Sequence, residues 1–277
     1  MTLDNKKDIE FEVLIATMNR TSLDFLEQMF INNSVQDFSI LVINQTNKEY
    51  QLISNKSNIR VINSYEKGIS NSRNLAIKHA KGKVVLFADD DVVYENNFKS
   101  IILKAHKNYV NAAIISFKFI DFDGNLFRDY KKEIEHKHTS STIGQINSVV
   151  ISAKLEKIKF LFFDVNFGLG ANFEIGEENL FLQDALNKGL DIRFVPKVIL
   201  KHPIFSSGKD DANNKLIFAR GAYCYKKYGG IGYLKITHYI YLVFIKGKIS
   251  LSEFIPKLKQ GFKGIKAYKE LKSQIND

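Results

Sequence analysis

Short apolar runs recur through the first half of the chain, each followed by polar residues and, twice, by a stretch of helical periodicity. Phe11–Ala16 (FEVLIA), Ser39–Ile43 (SILVI), Ile59–Ile62 (IRVI) and Val84–Ala88 (VVLFA) are apolar almost throughout. That is the pattern of short strands covered on both faces. Between them, Thr21–Asn32 places Leu23, Leu26 and Phe30 at helical spacing. Ser70–Ala80 does the same with Leu75, Ile77 and Ala80, and Lys81-Gly82 supplies a stop. Strands alternating with helices predict an α/β fold, with a mostly parallel sheet, helices on both faces and right-handed crossovers. Ligands of such sheets gather beyond the carboxyl ends of the strands.

The second half changes character. Ala113–Ile120 and Gln145–Ile151 read as strands, and Asp123-Gly124 as a hairpin turn. Gly168, Gly170 and Gly176 punctuate an aromatic loop, Phe162–Phe173, whose rings suit either a core or the C–H faces of a sugar. A helix is predicted over Glu177–Lys188, ended by Gly189; Asp191–Val195 is a strand closed by Pro196, and Val198–Leu200 a further one. Leu216–Tyr228, Tyr233–Ile245 and Leu251–Leu271 then read as amphipathic helices. The expected division is a sheet domain over residues 1–212 and a helical extension over residues 213–277. No segment approaches the roughly 20 apolar residues that span a bilayer; Ile231–Ile245 comes nearest and contains Lys235 and His238.

Composition narrows the classes. At 45% apolar and 25% charged residues, the 277-residue chain has ample material for a core. The single Cys224 excludes a disulfide framework and a cysteine zinc site. Residues 1–10 are polar and charged, with no leader pattern, so a reducing, cytoplasmic setting is expected. The net charge of +10 is local: residues 215–277 hold twelve Lys and one Arg against Glu253, Glu270 and Asp277, whereas the rest of the chain balances. Lysines interleaved with Tyr, Phe, Leu and Ile suit either a solvated basic face or an interfacial helix on anionic lipid, on the inner side of a membrane. No nucleic-acid-binding motif accompanies the charge, so no nucleic-acid partner is expected.

The candidate chemistry sits after the strands. Asp89-Asp90-Asp91 follows Val84–Ala88. Adjacent carboxylates repel one another, and a divalent cation with hard oxygen ligands would relieve the repulsion; an acidic helix-capping turn is the alternative. Gly68–Asn74 (GISNSRN) opens a helix after the third strand, which suits Arg73 either to an anion or to an ordinary turn. Thr17, Asn19 and Arg20 end the first strand, and Asn44 and Gln45 the second; such groups pair with a base or ribose, or cap a turn. Glu177 and Glu178 begin a helix, where acidic residues complement the dipole and where one could also serve as a general base. His202 follows a strand and could join the carboxylates as a metal ligand. His136 and His138 receive no role. No Walker or GxGxxG pattern occurs.

Taken in order, VLIATMNR (Val13–Arg20), GISNSRN (Gly68–Asn74), LFADDDV (Leu86–Val92), GEENL (Gly176–Leu180), His202 and Ala219-Arg220-Gly221 resemble glycosyltransferase family 2. The resemblance implies a GT-A fold and inverting transfer of a sugar from a nucleotide donor. It implies a nucleotide site at Thr17, Asn19, Arg20, Asn44, Gln45, Arg73, Asp89 and Asp90. It further implies Mn²⁺ or Mg²⁺ at Asp91, with Asp89 and His202. Glu178 matches the family's base, and Glu177 would contact the acceptor, a glycan or lipid-linked saccharide. Two departures stand out. Val42–Gln45 (VINQ) replaces the usual acidic residue after the second strand and is similar to β-1,4-galactosyltransferases, which leaves a UDP-sugar as the expected donor. Glu replaces the commoner Asp as base. A non-catalytic nucleotide- or glycan-binding module of the same fold is the competing reading. A sugar nucleotidyltransferase lacks support, because no glycine-rich loop follows the first strand.

Overall fold

Among the described residues, four parallel strands form one side of a nine-stranded sheet. They are β1 (Phe11–Met18), β2 (Ser39–Gln45), β3 (Ile59–Ser64) and β4 (Val84–Asp89). The computed structural model describes residues 8–128, 130, 134–203 and 211–276. The remaining strands are β5 (Val93–Tyr94), β6 (Ala112–Ile120), β7 (His136–Lys137), β8 (Ile151–Lys154) and β9 (Asp191–Lys201). Strand order is β3-β2-β1-β4-β8-β6-β9-β5, with β7 also on β9. β8 is antiparallel to both β4 and β6, whereas β6 and β9 are parallel. This is the mixed, mostly parallel sheet the sequence predicts.

The chain divides into two compact units. The first comprises Met1–Lys67, Asn71–Phe163 and Phe181–Ile204; the second comprises Gly68–Ser70, Asp164–Leu180 and Phe205–Asp277. In the first, alternate strand residues enter separate cores. Val13, Ile15, Ile40, Val42 and Leu86 belong to one face. Leu14, Leu41, Ile43, Val85 and Phe87 belong to the other. Burial on both faces explains why these strands read as continuous apolar runs. The exception, Glu12, is fully buried and satisfied: it accepts from Arg60 Nη2 (2.8 Å), Ser39 Oγ (3.1 Å) and the amides of Lys81 (2.6 Å) and Gly82 (3.0 Å).

Three expectations need correction. The helix predicted over Thr21–Asn32 shrinks to α1 (Phe25–Met29). Gln145–Ile151 is mostly not a strand: 3-10 turns occupy Ile143–Gln145 and Ser148–Val150 before β8 begins. Asn147 causes the break, its side chain accepting from Val149 N at 3.1 Å. Pro196 does not end a strand, because β9 runs through it. The ladder to β6 skips from the Ser116–Phe194 pair to Lys118–Val198, and the proline, which has no N–H to donate, falls in that irregularity. Further helices are α2 (Ile69–His79), α3 (Phe98–Asn108), α4 (Leu155–Ile158) and α5 (Glu177–Asn187).

The second unit is built on α6 (Asn214–Tyr228), α7 (Gly232–Ile245) and α8 (Leu251–Asn276). Ile217, Ile236, Ile240, Val243 and Ile265 form its core. A further cluster joins Phe167, Phe173 and Leu180 to Ala219, Ala222 and Tyr268; with Phe163 buried in the first unit, three of the aromatic loop's four rings are core, while Phe162 stays exposed. Helices α6 and α8 meet at glycines: a Cβ on Gly221 would lie 1.9 Å from Gly261 O, and one on Gly264 would lie 1.9 Å from Phe218 O. Among the described residues no helix is long and apolar enough to cross a membrane.

Candidate functional site

Because β1, β2 and β4 run parallel, their carboxyl ends deliver Thr17, Asn44 and Asp89 to one edge of the sheet. The aspartate triplet that begins at the last residue of β4 is divided among three sets of partners. Arg73, 4% exposed on α2, donates from Nη2 to Asp89 Oδ1 at 3.2 Å and to Ser148 Oγ at 2.7 Å. Asp90 Oδ2 accepts from Thr17 Oγ1 (2.5 Å) and Arg20 Nε (2.7 Å). Asp91 Oδ1 lies 3.3 Å from His202 Nε2, and its side chain is half exposed. Two cations and an imidazole thus offset three adjacent negative charges.

These partnerships set the acidities. The Asp89 carboxyl sits above the usual carboxylate range because burial raises it more than Arg73 pulls it down. Asp91 sits below that range, held there chiefly by the hydrogen bond from His202. Burial alone would depress His202; the hydrogen bond and charge of Asp91 outweigh it, so the imidazole protonates more readily than usual. His202 Nδ1 donates to Pro203 O at 2.7 Å, which turns Nε2 toward Asp91. A histidine anchored through one nitrogen presents the other as an oriented ligand. Asp91 and His202 therefore suit a cation that accepts hard oxygen and imidazole donors. Among the described residues, no three carboxylate, imidazole or thiol groups converge as a preformed cage.

The amides at the ends of β1 and β2 behave differently from one another. Asn44 is fully buried. Its Oδ1 accepts from Arg20 N (3.1 Å), and its Nδ2 donates to Arg20 O (2.9 Å) and Asn63 Oδ1 (2.9 Å). It acts as a strut fixing the β1 end, with its bonding capacity committed to protein. Asn19 adopts φ +54°, a left-handed conformation asparagine tolerates, and its N–H reaches Gln45 O at 2.9 Å. Gln45 stays partly exposed beside Met18. Ser148 and Asn63 had no signal in the sequence; each is recruited by a buried polar partner far along the chain.

Glu177 and Glu178 belong to the second unit and open α5. Gly176 precedes them at φ +78°, and Leu180 N donates to Gly176 O at 3.0 Å. Gly168, at φ +102°, packs against Glu177: a Cβ there would be 3.0 Å from the carboxyl carbon. Asn179 is buried and accepts from Tyr223 and Lys227 of α6.

The family model for Glycosyl transferase family 2 matches residues 12–190. Minor teichoic acid biosynthesis protein GgaB of Bacillus subtilis (strain 168) is 24% identical over 196 residues, which make up 65% of this chain and 20% of that protein. Among solved structures, S. aureus TarS superposes with a TM-score of 0.58 at 16% identity, over 93% of this chain and 49% of that one. TarS 1-349 in complex with UDP-GlcNAc gives a TM-score of 0.56 at 15% identity, over 93% and 82% of the two chains. This chain thus spans a fifth of GgaB and about half of TarS, and its likeness to TarS is one of GT-A fold.

Proposed function

The chain belongs to glycosyl transferase family 2, and on that premise we propose that it transfers a hexose-type sugar, with inversion, from a UDP-sugar to a teichoic-acid-type glycan acceptor. GgaB is named for minor teichoic acid biosynthesis and TarS is described bound to UDP and to UDP-GlcNAc, which supports this donor and acceptor class. The observation that carries the reading is the division of the aspartate triplet. Asp89 and Asp90 are held by Arg73, Arg20 and Thr17, while Asp91 pairs with an oriented His202 at the sheet's carboxyl edge.

In this reading Asp91, His202 and Asp89 hold Mn²⁺ or Mg²⁺, which when bound offsets charge developing on the leaving diphosphate. Thr17, Asn19, Arg20, Gln45 and Arg73 surround the nucleotide, with Asp90 fixing Arg20 and Asn44 fixing the loop. Glu178 accepts the proton of the acceptor hydroxyl as its oxygen forms the new bond to the anomeric carbon and the bond to UDP breaks. Glu177 orients the acceptor side. Residues 1–212 form the catalytic portion and residues 213–277 its basic extension.

That extension suits an anionic membrane surface. Ile231, which caps the start of α7, and Leu234, Tyr241 and Ile245 within it are 59%, 72%, 50% and 56% exposed and recur at helical spacing, opposite the buried Ile236, Ile240 and Val243. An outward apolar stripe on a strongly basic segment fits lipid headgroups over a neutral interface, and would place the enzyme peripherally near a lipid-linked acceptor.

Incubation with UDP-, GDP- and dTDP-sugars, Mn²⁺ and a teichoic acid acceptor, read by mass spectrometry and anomeric NMR, tests the reading. The expected product carries one added sugar of inverted configuration from a UDP donor. Transfer from none of the donors would sink the proposal in favour of a binding module. Glu178→Gln is expected to lower kcat by about 10²–10⁴-fold with donor binding retained; an unchanged rate would remove Glu178 as base.

A further inference from the structure

One helix grips the chain on both sides of Glu178. Two residues before it, Gly176 rests on the ring of Tyr223. A Cβ built at Gly176 would stand 2.7 Å from Cδ2 and 3.0 Å from Cε2 of that ring. One residue after it, Asn179 is 7% exposed. Asn179 Oδ1 accepts from the Tyr223 hydroxyl and from Lys227 Nζ at 2.7 Å, and the same Nζ lies 3.3 Å from that hydroxyl. An amide oxygen facing two donors has its orientation fixed, since a flip would set an NH₂ against them. Next to Lys227 on the last turn of α6, Lys226 pairs with Asp164 at 3.0 Å. Helix α6 therefore holds the segment 164–180 at both ends.

The charges agree with this geometry. Burial pushes the Tyr223 hydroxyl well above its usual acidity range, and the carboxylate of Glu178 is among the charges that raise it further. Burial makes the Lys227 ammonium give up its proton more readily than usual. Its hydrogen bonds here go to two neutral oxygens, and a partly desolvated cation binds such an acceptor more strongly than an exposed one.

We propose that Tyr223 and Lys227 are positioning residues for Glu178, acting through Gly176 and Asn179 to hold the first turn of α5 and so the direction of the carboxylate. The proposal rests on Glu178 being the base. With the hydroxyl removed, Asn179 loses one of its two anchors while the rest of the packing is kept.

A double-mutant cycle tests it, with the donor and acceptor returned by the product screen. Tyr223→Phe is expected to lower kcat about tenfold while donor KM stays within about twofold. Lys227→Met should do the same, Lys227→Arg should recover most of the loss, and the pair keeps the test alive if one variant folds poorly. In a Glu178→Gln background, Tyr223→Phe should cost nothing further, because its effect passes through the missing carboxylate. If it costs the same factor there, Tyr223 acts independently of Glu178 and the proposal falls while the base assignment stands. Full activity of Glu178→Gln alone would remove the base and the proposal with it. Amide exchange over residues 176–182 of the ligand-free protein needs no substrate: both variants should quicken it by about fivefold or more. Unchanged exchange in both would overturn the clamp.

Discussion

The crossing of α6 and α8 gives the sharpest stability prediction. Gly221→Ala adds a single methyl group, which would sit 1.9 Å from Gly261 O and 2.8 Å from Gly261 C. Carbon and carbonyl oxygen approach no closer than about 3.3 Å, so the helices must separate locally by about 1.4 Å. The obstacle is backbone, which cannot rotate out of the way. Overpacking of this kind costs about 1–3 kcal/mol, with the upper end expected for a rigid neighbour. Replacing a helical glycine by alanine returns about 1 kcal/mol of propensity. The net loss is about 2 kcal/mol, or a melting temperature lower by about 4–8 °C in a chain of this size. Gly264→Ala, facing Phe218 O at the same 1.9 Å, should behave alike. Gly230→Ala, which meets nothing within 4 Å, is the control and should leave melting unchanged. Calorimetry of the three variants decides it. A Gly221→Ala protein melting with the parent would refute the close crossing.

Three further predictions concern the sheet and the surface. His138 and His106 are pushed down to about 4 and about 3, each first by burial, and so stay neutral in the fold while the unfolded chain protonates them near pH 6.5. Their contribution is complete above pH 6.5 and fades as pH falls, down to about 4 for His138 and about 3 for His106, at about 1.4 kcal/mol per pH unit for each histidine. His138→Asn should flatten part of that slope in melting curves, and an unaltered slope would contradict the assignment. Asp91→Asn should weaken Mn²⁺-dependent UDP binding about tenfold or more, and equal affinities by calorimetry would exclude it as a ligand. Leu234→Glu should reduce co-sedimentation with phosphatidylglycerol vesicles about tenfold, or about 1.4 kcal/mol; binding retained in full, or equal binding to phosphatidylcholine, would remove the lipid surface.

The sequence announced elements wherever burial alone chose the residues. β1 to β4 are apolar runs because both faces are covered, and their observed bounds extend the predicted ones only at the carboxyl ends, where polar site residues such as Thr17, Asn44 and Asp89 take over. Reading failed where one polar side chain overrode a local pattern. Asn147 turns an apolar stretch into a 3-10 turn, and Pro196 is absorbed by a ladder irregularity that only the pairing with β6 reveals. The site shows the same division. Three adjacent aspartates were visible as a cluster, yet their separate tasks depend on Arg73, Arg20 with Thr17, and His202, which come from distant parts of the chain. Charge composition placed the excess of lysine on the last helices but said nothing of Lys227, 48 residues from the amide it holds. Residue type therefore nominates the reacting groups, whereas their orientation is decided by contacts remote in sequence. It follows that conservative changes at Tyr223 or Ser148, which no motif includes, should disturb a rate or an affinity as surely as changes within the motifs themselves.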